Sequence, residues 1–396
     1  MQMQVSPGKK INFDNTEVAF RNKSNSELNS AYWLFKAMSS NLLIKVGTPV
    51  TNLFLNIGLP IQGIIKATIF KQFCGGETIA ECEHTIKQLS ESKVGTILDY
   101  SVEGEEEEQV FDFTCEEIIR TVERAAGDPR VPITVFKITG IARFALLEKI
   151  DAKKQLTDQE TKEFEKVKQR CEKICRTAFD KNVPIMIDAE ESWIQETIDT
   201  LALDMMMLFN KERLIVYNTY QMYRHDKLAD FKADHLIAEN AGFILGAKIV
   251  RGAYMEKERK RALDMGYASP IQPDKVSTDN DYNAAITYCV ENINHIGVVC
   301  GTHNEASCKL LAELLDKHQI AHNNPHVYFS QLLGMSDNLS FNLSDANYNV
   351  AKYVPYGPVK AVMPYLFRRA QENTSIAGQT SRELNLIERE KIRRKA

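Results

Sequence analysis

Residues 183–192 read Val-Pro-Ile-Met-Ile-Asp-Ala-Glu-Glu-Ser. The apolar run is of strand length, and it ends on an acid just before Ser192–Lys211, a segment with helical periodicity. A strand buried on both faces and feeding a crossover helix is the unit of a parallel sheet. The same unit recurs along the chain. Its spacing predicts strands at Val94–Tyr100, Ile133–Ile138, Val183–Asp188, Leu214–Asn218, Ala247–Val250, Gly297–Thr302, His326–Ser330 and Asn349–Tyr353. Helices are predicted at Cys115–Ala126 behind a Thr114/Glu117 capping box, and at Ser192–Lys211, Lys227–Asn240, Asp281–Ile293 and Glu305–His318. Eight such strands over residues 91–375 predict an α/β fold, a (βα)8 TIM barrel, with a doubly wound sheet as the alternative.

Outside the barrel, residues 1–90 show helical patterning and predict an N-terminal helical region, while 376–396 read as a tail that is basic from Glu388 onward. The charged stretch Asp151–Lys166 predicts an extra exposed helix, an insertion near 151–180. The acidic run Glu103–Gln109 reads as solvated charge in the first βα loop.

A net charge of −4 spread over 396 residues gives no basic field, which argues against nucleic acid as a partner. Eight cysteines, at 74, 82, 115, 171, 175, 289, 300 and 308, form no C-x-x-C pair and read as reduced thiols of a cytoplasm-like compartment. Residues 1–20 have neither the apolar core of a signal peptide nor the Arg-rich, acid-poor character of a mitochondrial presequence, so a cytoplasmic location is expected. Val46–Ile65 is uncharged and long enough to span a bilayer, but Pro49, Pro60, Asn52, Asn56 and Gln62 break it. Core helices are expected there, with a peripheral membrane contact as the other reading.

Chemistry in a barrel gathers where strands end. Polar residues occupy seven of the eight expected ends: Lys137, Asp188, Asn218, Lys248 with Arg251, Thr302 with His303, Gln331 and Tyr353. Each taken singly could be an ordinary strand-end residue reaching solvent. An inward Lys137 needs a partner, and Asp188 on the next strand is the obvious one, because Ser192 can cap the helix that follows. After the eighth strand, Pro364–Asn373 reads PYLFRRAQEN. At ~100° per residue Tyr365, Arg368, Arg369 and Glu372 share one helix face. That face is either a solvated stripe or a carboxylate-binding fork, and the large Tyr365 favours the fork. No G-x-G-x-x-G follows a strand, no P-loop occurs, and the His318, His322 and His326 spacing is interrupted, so no metal site is expected.

The segments IDAEE (187–191), KIVRGAY (248–254), THN (302–304), Tyr353-Val-Pro-Tyr-Gly and YLFRRAQEN (365–373) together resemble the proline dehydrogenase family. LDYSVE (98–103) and the charged insertion are more similar to its monofunctional, eukaryotic-like branch. The resemblance implies a flavin barrel that oxidises L-proline to 1-pyrroline-5-carboxylate, with FAD as cofactor and a membrane quinone as electron acceptor. It implies that Lys137, Arg368 and Arg369 hold the substrate carboxylate, that Tyr353, Tyr365 and Leu332 wall the ring, and that Asp188 and Lys248 are catalytic. Ala189, Asn218, Gly252, Ala253, Tyr254, Lys275, Thr302, His303, Gln331 and Glu372 match FAD-contacting positions. Lys248, Asn218 and Met255 depart from residues common in the family, Arg, Gln and Trp. Hydroxyproline oxidation by the same site is an alternative, and so is a Schiff-base aldolase using Lys137.

Overall fold

The computed structural model describes residues 11–39, 62–102, 106–375 and 379–395. The apolar runs form eight parallel strands ordered as in the sequence around a closed barrel. They are β1 (Gly95–Tyr100), β2 (Ile133–Phe136), β3 (Ile185–Ile187), β4 (Val216–Gln221), β5 (Leu245–Val250), β6 (Ile296–Gly301), β7 (Val327–Leu332) and β8 (Val350–Tyr356). Each predicted strand is present, but the ends move. β4 runs on to Gln221 and β8 to Tyr356, so Asn218 and Tyr353 lie within strands, whereas Lys137 and Asp188 directly follow β2 and β3.

Helices before the barrel are α1 (Thr16–Ala19), α2 (Asn25–Met38), α3 (Gln62–Ile65, continuing through a π-helical Lys66–Phe70 to Lys71–Phe73) and α4 (Ile79–Ser90). Between strands lie α5 (Glu108–Ala125), α6 (Phe144–Asp151), α7 (Asp158–Lys181), α8 (Ser192–Phe209), α9 (Lys227–Ala241), α10 (Met255–Met265), α11 (Lys275–Glu291), α12 (Glu305–Lys317) and α13 (Asp337–Asp345). After β8 come α14 (Met363–Ser375) and α15 (Gln379–Arg393).

Several helix starts differ from expectation. α5 begins at Glu108, so Thr114 is a buried mid-helix residue and no Thr114/Glu117 capping box forms. The cause is an apolar face that already starts at Phe111 and repeats at Cys115, Ile118, Ile119 and Val122. Ser192 is the first residue of α8 rather than its cap, and its hydroxyl and N–H both donate to Glu258. The charged segment is the opening of the crossover helix α7, which has a Thr157/Glu160 capping box and buries Val167, Cys171, Ile174, Cys175 and Ala178. The inserted element is instead the short α6, packed on α8.

The chain divides into two compact units. The first, Met1–Pro7 with Gly104–Ser330, holds β2 to β6 and most of β7. Its strands keep continuous register, with Phe136 beside Ile187 and Thr219 beside Lys248. The second, Gly8–Glu103 with Gln331–Ala396, holds β1 and β8, paired from Gly95↔Ala351 to Tyr100↔Tyr356. There α2, α3, α14 and α15 share an apolar cluster that includes Leu28, Phe35, Phe70, Phe73, Leu366, Leu386 and Ile387. The expected C-terminal tail is therefore largely helix α15. Most of Val46–Ile65 lies outside the described residues. Among them no helix is long and apolar enough to cross a membrane. All eight cysteines are buried free thiols.

Candidate active site

In the first unit, β3 is buried along its whole length, and its backbone hands Asp188 to β2 through an Asp188 N–H donated to the Phe136 carbonyl at 2.9 Å. The Asp188 carboxylate receives two lysines. Lys248 Nζ lies 2.5 Å from Oδ1 and Lys137 Nζ 3.2 Å from Oδ2. Burial pushes the Asp188 carboxyl up, but Lys248 and Lys137 outweigh it, and the group ends below its ordinary value. A carboxylate between two ammonium groups leaves one net positive charge, suited to an anionic ligand. Lys137 lies just before a 3-10 turn, Ile138–Gly140, which Glu190 pins. The Thr139 N–H donates to Glu190 Oε1 at 3.0 Å, and the Thr139 hydroxyl lies 2.5 Å from Oε2. The Glu190 backbone is fixed as well, its N–H on Gln195 Oε1 at 2.7 Å and its carbonyl accepting from Gln221 Nε2 at 2.6 Å. Burial of Glu190 pushes its carboxyl up to about 8. Glu190 and Gln221 were not singled out from the sequence. IDAEE displays both glutamates, but only packing shows that both are buried and that Glu190 is the one turned onto Thr139.

A second constellation centres on Arg251. Its guanidinium donates to Asp279 at 2.8 Å, to the Thr302 hydroxyl at 2.8 Å and to the Ser307 hydroxyl at 3.0 Å, and lies 4.3 Å from the Tyr282 ring centroid. Asp279 also holds Lys275 at 2.5 Å, so Lys275 and Thr302 meet through Arg251. Next to it Gly252 has φ +129, and a Cβ there would run into the Tyr223 ring. Gly252 and Ala253 are exposed, Tyr254 and His303 half-buried. Ala189 is half-buried directly after Asp188. This exposed backbone beside cationic and hydroxyl donors fits a large, anionic, hydrogen-bond-accepting cofactor such as a flavin dinucleotide.

Asn218 does not join these groups. Its amide donates to Asp199 of α8 at 2.9 Å. Tyr220, on the same strand face, donates to Asp234 of α9 at 2.9 Å. Residues two apart share a face, so Asn218 points outward to the helices, while Thr219, in register with Lys248, and Gln221 take the opposite face. The expectation of a flavin contact through the Asn218 side chain is corrected accordingly.

In the second unit, Tyr353 and Tyr365 are buried, and the buried Arg369 guanidinium lies 5.1 Å from the Tyr365 centroid. Arg368 is half-buried on the same helix. The face is thus no solvated stripe. Pro364 occupies the first turn of α14, where its missing N–H costs nothing. Leu332 packs on the apolar cluster, and Gln331 is buried with its Oε1 accepting from Ser340 at 2.8 Å. The side chain of Glu372 lies outside the described residues.

Comparison with known proteins supports the reading. Residues 82–382 match the model of a family described as proline dehydrogenase. Proline dehydrogenase 1, mitochondrial, of Dictyostelium discoideum is 34% identical over a 433-residue alignment that covers 97% of this chain and 75% of the relative. The Homo sapiens protein of the same name is 38% identical over 243 residues, covering 61% of this chain and 40% of its own length. Among solved structures, proline utilization A of Bdellovibrio bacteriovorus aligns with a TM-score of 0.72 at 20% identity, covering 91% of this chain. The chain spans 38% of that protein, and at this identity the likeness concerns the fold alone. A barrel with charged residues at its strand ends, matched over residues 82–382 by the family model and over 97% of its length by the Dictyostelium relative, places the chain in the proline dehydrogenase family.

Proposed function

We propose that the protein oxidises L-proline to 1-pyrroline-5-carboxylate, the first step of proline breakdown to glutamate, with FAD as cofactor and a membrane quinone as final acceptor. The observation that carries this reading is the Lys137–Asp188–Lys248 cluster at the ends and within the strands of a barrel whose family oxidises proline. When bound, the flavin supplies the two-electron acceptor. The chain's own residues do the rest. Arg368 and Arg369, with Lys137, take the substrate carboxylate, because guanidinium forks bind carboxylates in two-point contacts that fix orientation. Tyr353, Tyr365 and Leu332 wall the ring. Lys248, held by Asp188, keeps a positive charge where negative charge develops on the cofactor, and needs no reorganisation to do so. Gly252 and Ala253 allow the backbone to approach the cofactor, with Ala189, Tyr254, Lys275, Thr302, His303, Gln331 and Glu372 as further contacts.

The ring wall at Tyr353 leaves little space for a 4-hydroxyl, which favours proline over hydroxyproline. Asp188 beside Lys137 argues against an aldolase, since a Schiff-base lysine is activated by loss of its proton and an adjacent carboxylate retains it. On this reading the protein works from the cytoplasmic face of the membrane as a peripheral protein. Purified protein should be yellow and should bleach on anaerobic addition of L-proline. A colourless protein that is trapped by borohydride with substrate would refute the proposal in favour of the aldolase.

A further inference from the structure

Lys352 is fully buried on β8, one residue before Tyr353. Successive strand residues point to opposite faces, so the ammonium stem and the tyrosine ring leave β8 on opposite sides. The ammonium ends on the turn that joins β7 to α13. It lies 2.8 Å from Asp337 Oδ1 and donates to the Met335 carbonyl at 2.7 Å and to the Leu332 carbonyl at 3.3 Å. Three donors meet three acceptors. Lys23 reaches the other Asp337 oxygen at 3.2 Å.

The same turn is tied down at every step. Leu333 N–H donates to the Tyr353 carbonyl at 2.8 Å. Gln72 donates to the Gly334 carbonyl at 2.8 Å, and Gly334, at φ +76, packs so closely on the Gln72 backbone that no Cβ would fit. Ser336, at φ +50, donates its N–H to Glu383 of α15 at 2.5 Å. Burying an ammonium and a carboxylate is no better for stability than an apolar pair of equal volume, so stability alone does not account for Lys352. What such a pair supplies is a fixed distance. Here the fixed distance runs from the strand of Tyr353 to the backbone of Leu332.

We infer that Lys352 and Asp337 are positioning residues that hold Leu332 and Tyr353 at a set spacing, and thereby decide how large a substituent on the substrate ring the enzyme accepts. This rests on the assignment of those two side chains to the ring wall. Replacing Lys352 by an apolar residue removes the donor from two carbonyls and a carboxylate at once, leaving the Leu333 N–H as the turn's remaining bond to the Tyr353 carbonyl and loosening the spacing.

The test compares kcat/KM for L-proline and for trans-4-hydroxy-L-proline, per bound flavin, in wild type, Lys352→Met, Asp337→Asn and Lys23→Met. The ratio of the two substrates does not depend on how much of a sample is folded, so a loss of stability alone leaves it unmoved. In Lys352→Met and Asp337→Asn we expect the hydroxyproline-to-proline ratio to rise about tenfold, the discrimination lost when a pocket no longer fits one small group. KM for proline should rise more than kcat falls. Lys23→Met removes the more exposed of the two lysines on Asp337 and should give a smaller rise in the same direction. An unchanged ratio in the active variants overturns the inference and leaves the proposed function standing. Wild type that oxidises neither compound defeats the substrate assignment and the inference with it.

Discussion

Arg369 is buried with its guanidinium against Tyr365, which defines its direction before any ligand arrives. Arg368→Ala or Arg369→Ala should therefore raise KM for proline by about 10- to 100-fold, the loss of a hydrogen bond to a charged group being worth roughly 1.5–3 kcal/mol. Flavin content should stay as in wild type. Steady-state kinetics with absorbance at the flavin bands checks both, and an unchanged KM defeats the clamp. Glu190 makes a pH prediction. Its carboxyl is held at about 8 against an ordinary 4.5, so the folded chain binds that proton more tightly than the unfolded chain. The stability linked to it is complete below pH 4.5 and is lost as pH rises through about 8, on the order of a few kcal/mol. Glu190→Gln should flatten thermal stability across that window while wild type declines. Equal slopes for the two proteins would show that Glu190 does not govern it.

At the scale of elements, β8 presents Tyr353, the proposed ring wall, on one face and Lys352, the proposed positioning residue, on the other. Tyr353→Ser should raise activity on hydroxyproline relative to proline, read as the ratio of kcat/KM values, and an unchanged ratio would count against a wall role. The strands themselves were legible because short β-branched runs between amphipathic helices leave few alternatives. Their ends were not. A strand stops where register pairing and neighbouring turns stop it: the run-on of β4 to Gln221 puts Asn218 inside the strand, and side-chain alternation then turns it outward with Tyr220. The capping box expected at Thr114 failed for the same kind of reason, since a longer buried face overrode a local signal.

At the scale of the whole molecule, the C-terminal segment belongs to the packing of its unit. Leu386 and Ile387 of α15 are buried among residues of α2, α3 and α14. Leu386→Ala should cost about 2–5 kcal/mol, the usual range for a fully buried leucine. A calorimetric scan would show the lowered Tm, and a change within error would mean that α15 is dispensable. Arg389 and Arg394 extend the same attachment, to Asp14 and to the Lys23 and Phe20 carbonyls. A basic tail read by composition is thus an anchored helix.

Sequence by itself determined the barrel, the family and the residues that carry charge at the strand ends, because periodicity and residue type are local and each strand announces itself within a few residues. The pairing of Lys137 with Asp188 was legible too, since neighbouring strands in sequence are neighbours in a barrel. Only tertiary structure decided that Lys248 shares the same carboxylate, that Glu190 is buried and its carboxyl pushed up by that burial, that Asn218 faces the helices, and that Lys352 reaches across a turn to Asp337. Each of these depends on which face of a strand a residue occupies and on what lies beyond it; a one-residue slip of register reverses the first, and the second involves residues distant in the sequence.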